Sequence, residues 1–155
     1  MNQHHRYLDD SKPTNEGSGA SASPGRHQGE LADGQSIFNM LEHVILQVGY
    51  QYLADSRTNI INPFYNELCL IIAEVLVMGR DSFLKINGTL VPVPLVQEIY
   101  SQLRCDHLQL VFENFHNVTQ HVHNKKAYLR TALYNVVFEI NSHYFNEMVC
   151  DRMNE

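Results

Sequence analysis

Cysteine is scarce and scattered in this chain. Its 155 residues hold three, Cys69, Cys105 and Cys150, with no CxxC pair. An odd number at wide spacing is not a disulfide framework, so buried free thiols in a reducing cytosol are expected. Long apolar runs are missing too. The most apolar stretch, "LCLIIAEVLVM" (68–78), is too short to span a membrane and holds Glu74. The N-terminus, "MNQHHRYLDD", lacks the apolar segment of a signal peptide, which makes a cytoplasmic location the expectation. Positive charge is not in excess: 17 acidic residues stand against 11 basic ones, a formal net charge of -6. That excludes a surface that is a basic nucleic-acid footprint throughout, and any DNA contact must be local. There is no GxSxG, no HExxH and no GxxxxGK. A nucleophile elbow, a zincin helix and a phosphate-binding loop are thereby excluded. No enzymatic activity, cofactor, resident metal or small-molecule substrate is expected.

Glycine, in contrast, is concentrated at one end. Residues 1–34 carry five of the eight glycines, with Pro13, Pro24 and the run "GSGASASPG". Met1, Tyr7, Leu8 and Leu31 are the sizeable apolar residues there. Such a segment buries too little surface to offset its ordering entropy, so it reads as a disordered polar tail or linker ahead of a domain at 35–155.

From Ser36 onward the apolar spacing becomes helical. Ile37, Met40, Leu41, Val44 and Ile45 form one face, with Ser36 as a cap, although "HVILQVGYQYL" has some strand character. "NPFYNELCLIIAEVLVMG" is the clearest helix, with Asn62 as cap, Pro63 in the first turn and Gly79 near the end. Phe64, Leu68, Ile71, Val75 and Leu76 make its stripe, and Leu70, Ile72 and Val77 make other sides apolar, as befits a central helix. Glu67 and Glu74 share a face seven residues apart and read as a solvated stripe rather than an acid–base pair. Asn87-Gly88 between two short β-prone runs predicts a hairpin over about 83–91, with strands so short that it must lean on helices. "PLVQEIYSQL" follows as a helix. Asp106 is then read as the cap of "HLQLVFENFHN", with Leu108, Val111, Phe112 and Phe115 inward. Asn124 is read as the cap of a helix from Lys125 to about Val137, with Leu129, Ala132, Leu133, Val136 and Ile140 as its stripe. "INSHYFNEMVCDRM" is a further helix or a continuation after a bend. The expected fold is mainly α: a compact bundle of five or six helices with one short β-hairpin.

Three features could carry chemistry. His116, His121 and His123 lie close together, downstream of Cys105-x-His107. Imidazole and thiolate suit zinc, but the paired spacings of structural zinc sites are missing, so a zinc-binding enzyme stays a remote alternative. His107, in the first turn of its helix, reads as a partly buried residue hydrogen-bonded near the cap. Third, Lys126, Arg130 and Tyr134 fall at i, i+4 and i+8, with Lys125 beside them. Cations next to an aromatic can hold a phosphate backbone and stack a base. Tyr128 points to the edge of the apolar stripe and reads as core.

"VGYQYL" (48–53), "INGTLVPVPLVQEIYSQL" (86–103), "DHLQLVFENFHN" (106–117) and "HNKKAYLRTALYN" (123–135) occur in an order and spacing that together form a pattern. The set resembles the C-terminal domain of replication initiator protein A from plasmids and conjugative elements of Gram-positive bacteria. In that family a hairpin with a Gly turn leads to a helix, followed by an acid-His-Ile/Leu helix start and then "N-x-K-A-Y-L-x-x-A-L-Y/F-N". Asp106, His107 and Leu108 match the second element; Asn124, Lys126, Ala127, Tyr128, Leu129, Ala132, Leu133, Tyr134 and Asn135 match the third. The resemblance runs from about Val44 to Asp151. Two departures stand out. Val136-Val137 replaces the family's Ala-Pro, so the helix is free to run on, and the family's winged-helix module has no counterpart in residues 1–34. The resemblance implies a non-enzymatic interaction module in DNA replication initiation, similar to the helical domains of primosomal DnaD-type proteins. It would contact a host primase or helicase loader and bind single-stranded DNA weakly, with Lys125, Lys126, Arg130 and Tyr134 as the contact face. The alternative is a scaffold or regulatory helical domain that binds only protein.

Overall fold

A computed structural model describes residues 25–153 of the protein, with side chains from residue 34. Five helices and one hairpin follow in chain order: α1 (Gly25–Val48), α2 (Pro63–Leu76), β1 (Phe83–Ile86), β2 (Thr89–Pro92), α3 (Val93–Tyr100), α4 (Cys105–His116) and α5 (Lys125–Met153). A single 3₁₀ turn, Tyr50–Leu53, links α1 to the loop before α2. The mainly helical bundle with one short hairpin is therefore the architecture observed.

Helix α1 starts well before Ser36, so Ser36 is not its cap. Residues 25–34 of the tail expected over 1–34 lie in this helix, and residues 1–24 lie outside the described residues. Nucleation is the costly step of helix formation, and extending an anchored helix adds one hydrogen bond per residue ordered. The apolar face at Val44 and Val48 supplies that anchor, both side chains being fully buried. Gly49 ends the helix with φ 67, and a Cβ there would lie 2.9 Å from the Tyr52 ring, so the position requires glycine.

Helix α2 is the centre of the bundle and touches α1, α3, α4 and α5. Its start follows the sequence closely: Phe64 N–H donates to the Asn62 side chain at 2.9 Å, and Pro63 occupies the first turn. Leu68, Ile71, Ile72 and Val75 are buried, while Leu70 is left exposed on one side. The C-terminal end is finished from another element. Gln97 of α3 points its amide N–H groups at the carbonyls of Val75 (3.1 Å), Leu76 (3.3 Å) and Met78 (3.0 Å). Gln47 of α1 does the same for α3, donating to Tyr100 O at 2.9 Å and Leu103 O at 3.2 Å. Helix ends leave carbonyls without intrahelical partners, and here neighbouring helices supply the donors.

The hairpin pairs Phe83 with Pro92 through Ile86 with Thr89. Asn87 (φ 52) and Gly88 (φ 79) both adopt the left-handed conformation that a tight two-residue turn needs. Leu84 and Ile86 face the helices and are buried.

The start of α4 corrects one expectation. Asp106 is not the N-cap; the helix begins at Cys105, with Arg104 in extended conformation before it. His107 displaces the aspartate by occupying the third helical position, where its Nδ1 accepts the N–H of Arg104 at 3.0 Å. That is the part Glu or Gln plays in a capping box. The reciprocal half is missing because an arginine side chain has no acceptor. Asp106 sits inside the first turn and accepts the N–H of His107 at 3.0 Å.

Helix α5 is a single element of 29 residues. The segment "INSHYFNEMVCDRM" continues it, and no proline stands at 136–137 to stop it.

Candidate interaction face on the last helix

The N-terminus of α5 is set by Asn124, whose side chain accepts the N–H of Ala127 at 3.0 Å. From this cap the two lysines reach across to α2. Lys125 Nζ lies 2.6 Å from Glu67 and Lys126 Nζ lies 2.5 Å from Glu74. The glutamates are thus neither a bare solvated stripe nor an acid–base pair, because they receive the lysines of the last helix. Lys125 also sits over two rings, 5.2 Å from Phe64 and 5.5 Å from Phe115. These pairs are partly exposed and add little stability each. They do commit two of the four expected contact residues to the α2–α5 junction.

Arg130 and Tyr134 are placed differently. The Arg130 carbonyl accepts the Tyr100 hydroxyl at 2.6 Å, which locks this turn of α5 to the core. Burial pushes the Tyr100 phenol well above its ordinary value, against a smaller opposing effect of the Arg130 charge. The Arg130 Nε is buried and has no acceptor among the described residues. Tyr134 is half-buried, with its ring centroid 5.5 Å from that of Phe138. Phe138 is 48% exposed, so Arg130, Tyr134 and Phe138 form a ridge at i, i+4 and i+8.

The other motif residues are structural. Leu129 and Leu133 are fully buried, and Tyr128 packs at the core edge with its ring 5.8 Å from Phe115. Asn135 has a role that the sequence reading missed. Its amide exchanges two hydrogen bonds with Asn87 in the hairpin turn, at 2.8 and 3.0 Å, and so clasps the hairpin to α5. An asparagine ending the helical motif and another in the turn were both visible, but nothing local linked them.

The histidines do not converge. His116 Nδ1 lies 2.8 Å from Phe112 O, and its ring packs against Phe64, Phe112 and Phe115. His121 and His123 face each other, with centroids 4.9 Å apart. Among the described residues no three His, Cys, Asp or Glu side chains gather as a metal-binding group. His107 is buried and hydrogen-bonded at the helix start, as expected. Desolvation lowers its pKa, outweighing the nearby Asp106 carboxylate, which raises it. Although Nδ1 also lies 3.2 Å from Asp106, the neutral ring accepting from Arg104 is the form that burial favours. Of the three thiols expected to be buried, Cys69 is, whereas Cys105 is half-buried and Cys150, on the part of α5 that leaves the core, is exposed. Burial pushes the Cys69 thiol up to about 11, which makes it a poor nucleophile.

Beyond Ile140, which still packs against it, the helix leaves the core. Tyr144, Phe145, Met148 and Met153 are all more than half exposed. Among the described residues no helix is long and apolar enough to cross a membrane.

These features define a small helical domain that clasps a hairpin to its last helix and presents its remaining chemistry along that helix. The chain belongs to the family of unknown function DUF6017, which matches residues 5–155, a span that includes most of the expected tail. No curated protein and no solved structure matches it.

Proposed function

We propose that this protein is a non-enzymatic interaction module in the initiation of plasmid or mobile-element DNA replication. Its partner is a replication protein of the primase or helicase-loader class, met by the first half of α5. The observation that carries this reading is the division of labour on that helix. Lys125 and Lys126 are paired with Glu67 and Glu74, whereas Arg130, part-exposed beside the half-buried Tyr134, has no carboxylate partner among the described residues. An arginine flanked by aromatics fits a protein contact better than a phosphate-tracking groove, because arginine and aromatics are enriched at interface centres. The net charge of -6 points the same way. The resemblance to replication initiator protein A supplies the biological setting.

The test is a pull-down with the host primase and helicase loader, paired with a single-stranded DNA titration at low salt. Arg130→Glu should weaken capture of the protein partner by roughly tenfold or more. Lys126→Glu should weaken it less, because its main effect is on the junction with Glu74. Loss of DNA binding with protein capture unchanged would favour a nucleic-acid role. If neither substitution changed either measurement, the face would be misassigned.

A further inference from the structure

The second half of α5 carries a surface of its own. Phe138, Asn141, Phe145, Met148 and Arg152 are spaced 3, 4, 3 and 4 residues apart. That is the a/d spacing of a heptad seam, which keeps one stripe facing a partner helix. Tyr144 and Val149 widen the stripe on either side. Glu139, His143 and Glu147 lie away from it, and His143 Nε2 is 3.1 Å from the Glu147 carboxylate. Phe138 is 48%, Tyr144 55%, Phe145 67% and Met148 58% exposed. Side chains of this size carry about 200 Å² each, so these four leave on the order of 450 Å² uncovered per copy. Asn141, Val149 and Arg152 extend that toward the ~800 Å² per partner of a standard interface. A four-turn helical extension without packing is also marginal by itself, and pairing would supply the missing burial.

From this geometry we propose that the protein self-associates through residues 138–152 of α5, pairing antiparallel with a second copy about Phe145. Charge decides the orientation. A parallel pair would set Arg152 against Arg152 on an apolar seam. An antiparallel pair sets Arg152 of each copy over Phe138 of the other, a favourable cation–ring contact. It also keeps the two helical bodies at opposite ends of the paired helices, clear of each other. Asn141, opposite the region of Val149, is the one uncharged polar residue on the seam and limits its stability, as a single buried asparagine does in coiled coils.

Sedimentation equilibrium of the full chain tests this, and it should show a dimer at micromolar concentration. Phe145→Glu should weaken association by roughly 100-fold or more. Its thermal unfolding as a monomer should stay cooperative, since the side chain does not contribute to the core. Asn141→Leu should tighten association, which keeps the proposal testable should the first variant fold poorly. In a Cys150→Ser background, Phe145→Cys should self-crosslink under mild oxidation and Arg152→Cys should not. A chain that stays monomeric, or a dimer indifferent to both seam substitutions, overturns the proposal and leaves the stripe for a different protein. Ready crosslinking of Arg152→Cys to itself overturns the antiparallel arrangement.

Discussion

Replacing Gln97 should destabilise the domain through a helix to which it does not belong. Its amide carries two N–H groups, shared among the carbonyls of Val75, Leu76 and Met78. Val75 O also accepts the N–H of Met78 at 3.2 Å, so it keeps a partner when Gln97 is lost. Leu76 O and Met78 O lose their side-chain donor at a partly buried helix end. Each such hydrogen bond contributes a net ~1 kcal/mol. Gln97→Met, which preserves the stem, should therefore cost about 2 kcal/mol and lower Tm by roughly 5–8 °C. Gln97→Glu should be worse at neutral pH, because it aims a carboxylate at carbonyl oxygens on the negative end of the α2 dipole. There the folded state favours the protonated acid, so the carboxyl pKa is raised. The excess penalty is then absent below the ordinary carboxylate range and grows as pH rises through it. Urea and thermal unfolding of the three proteins at two pH values are the measurement. A Gln97→Met protein within about 0.5 kcal/mol of the parent, or a Gln97→Glu protein no less stable than Gln97→Met at neutral pH, would refute the capping role.

Two further predictions concern the clasp and the start of α4. Asn87→Gly keeps the left-handed turn but removes the amide, so it and Asn135→Ala should each cost about 1 kcal/mol. The double variant should cost little more than either, giving a coupling near 1 kcal/mol in a double-mutant cycle; strict additivity would mean that the amide pair does not form in solution. Burial holds the folded pKa of His107 below the ordinary imidazole value, so its neutral form stabilises the fold; that contribution is fully present above the ordinary imidazole range and is lost as pH falls through the folded value. Urea midpoints from about pH 7.5 to about pH 5 should therefore fall more steeply in the parent than in His107→Gln, whose side chain offers the same acceptor without titrating.

Much of the local structure was legible in the sequence. Asn62, Pro63 and Asn124 mark helix starts because capping acts over two or three residues. Asn87-Gly88 marks the hairpin because few residue pairs tolerate two positive φ values in succession. The buried stripe of α2 and the inward positions Leu129 and Leu133 follow from helical periodicity alone. The start of α4 differs: Asp106 is a good cap by type but lies inside the first turn, and the side-chain bond back to the cap residue Arg104 comes from the His107 ring nitrogen.

Tertiary structure decided what connects these elements. Lys125 and Lys126 looked like a free basic face until α2 brought Glu67 and Glu74 against them. Gln47 and Gln97 looked like ordinary polar residues, yet each finishes a helix far away in the chain. Asn135 ends a helical motif and holds a hairpin turn 48 residues upstream. The physical reason is range. Periodicity, caps and turn dihedrals are set by neighbours within about four residues, so the sequence displays them directly. A charge or an amide on a helix surface has no local preference for its partner, and only the packing of the helices assigns one.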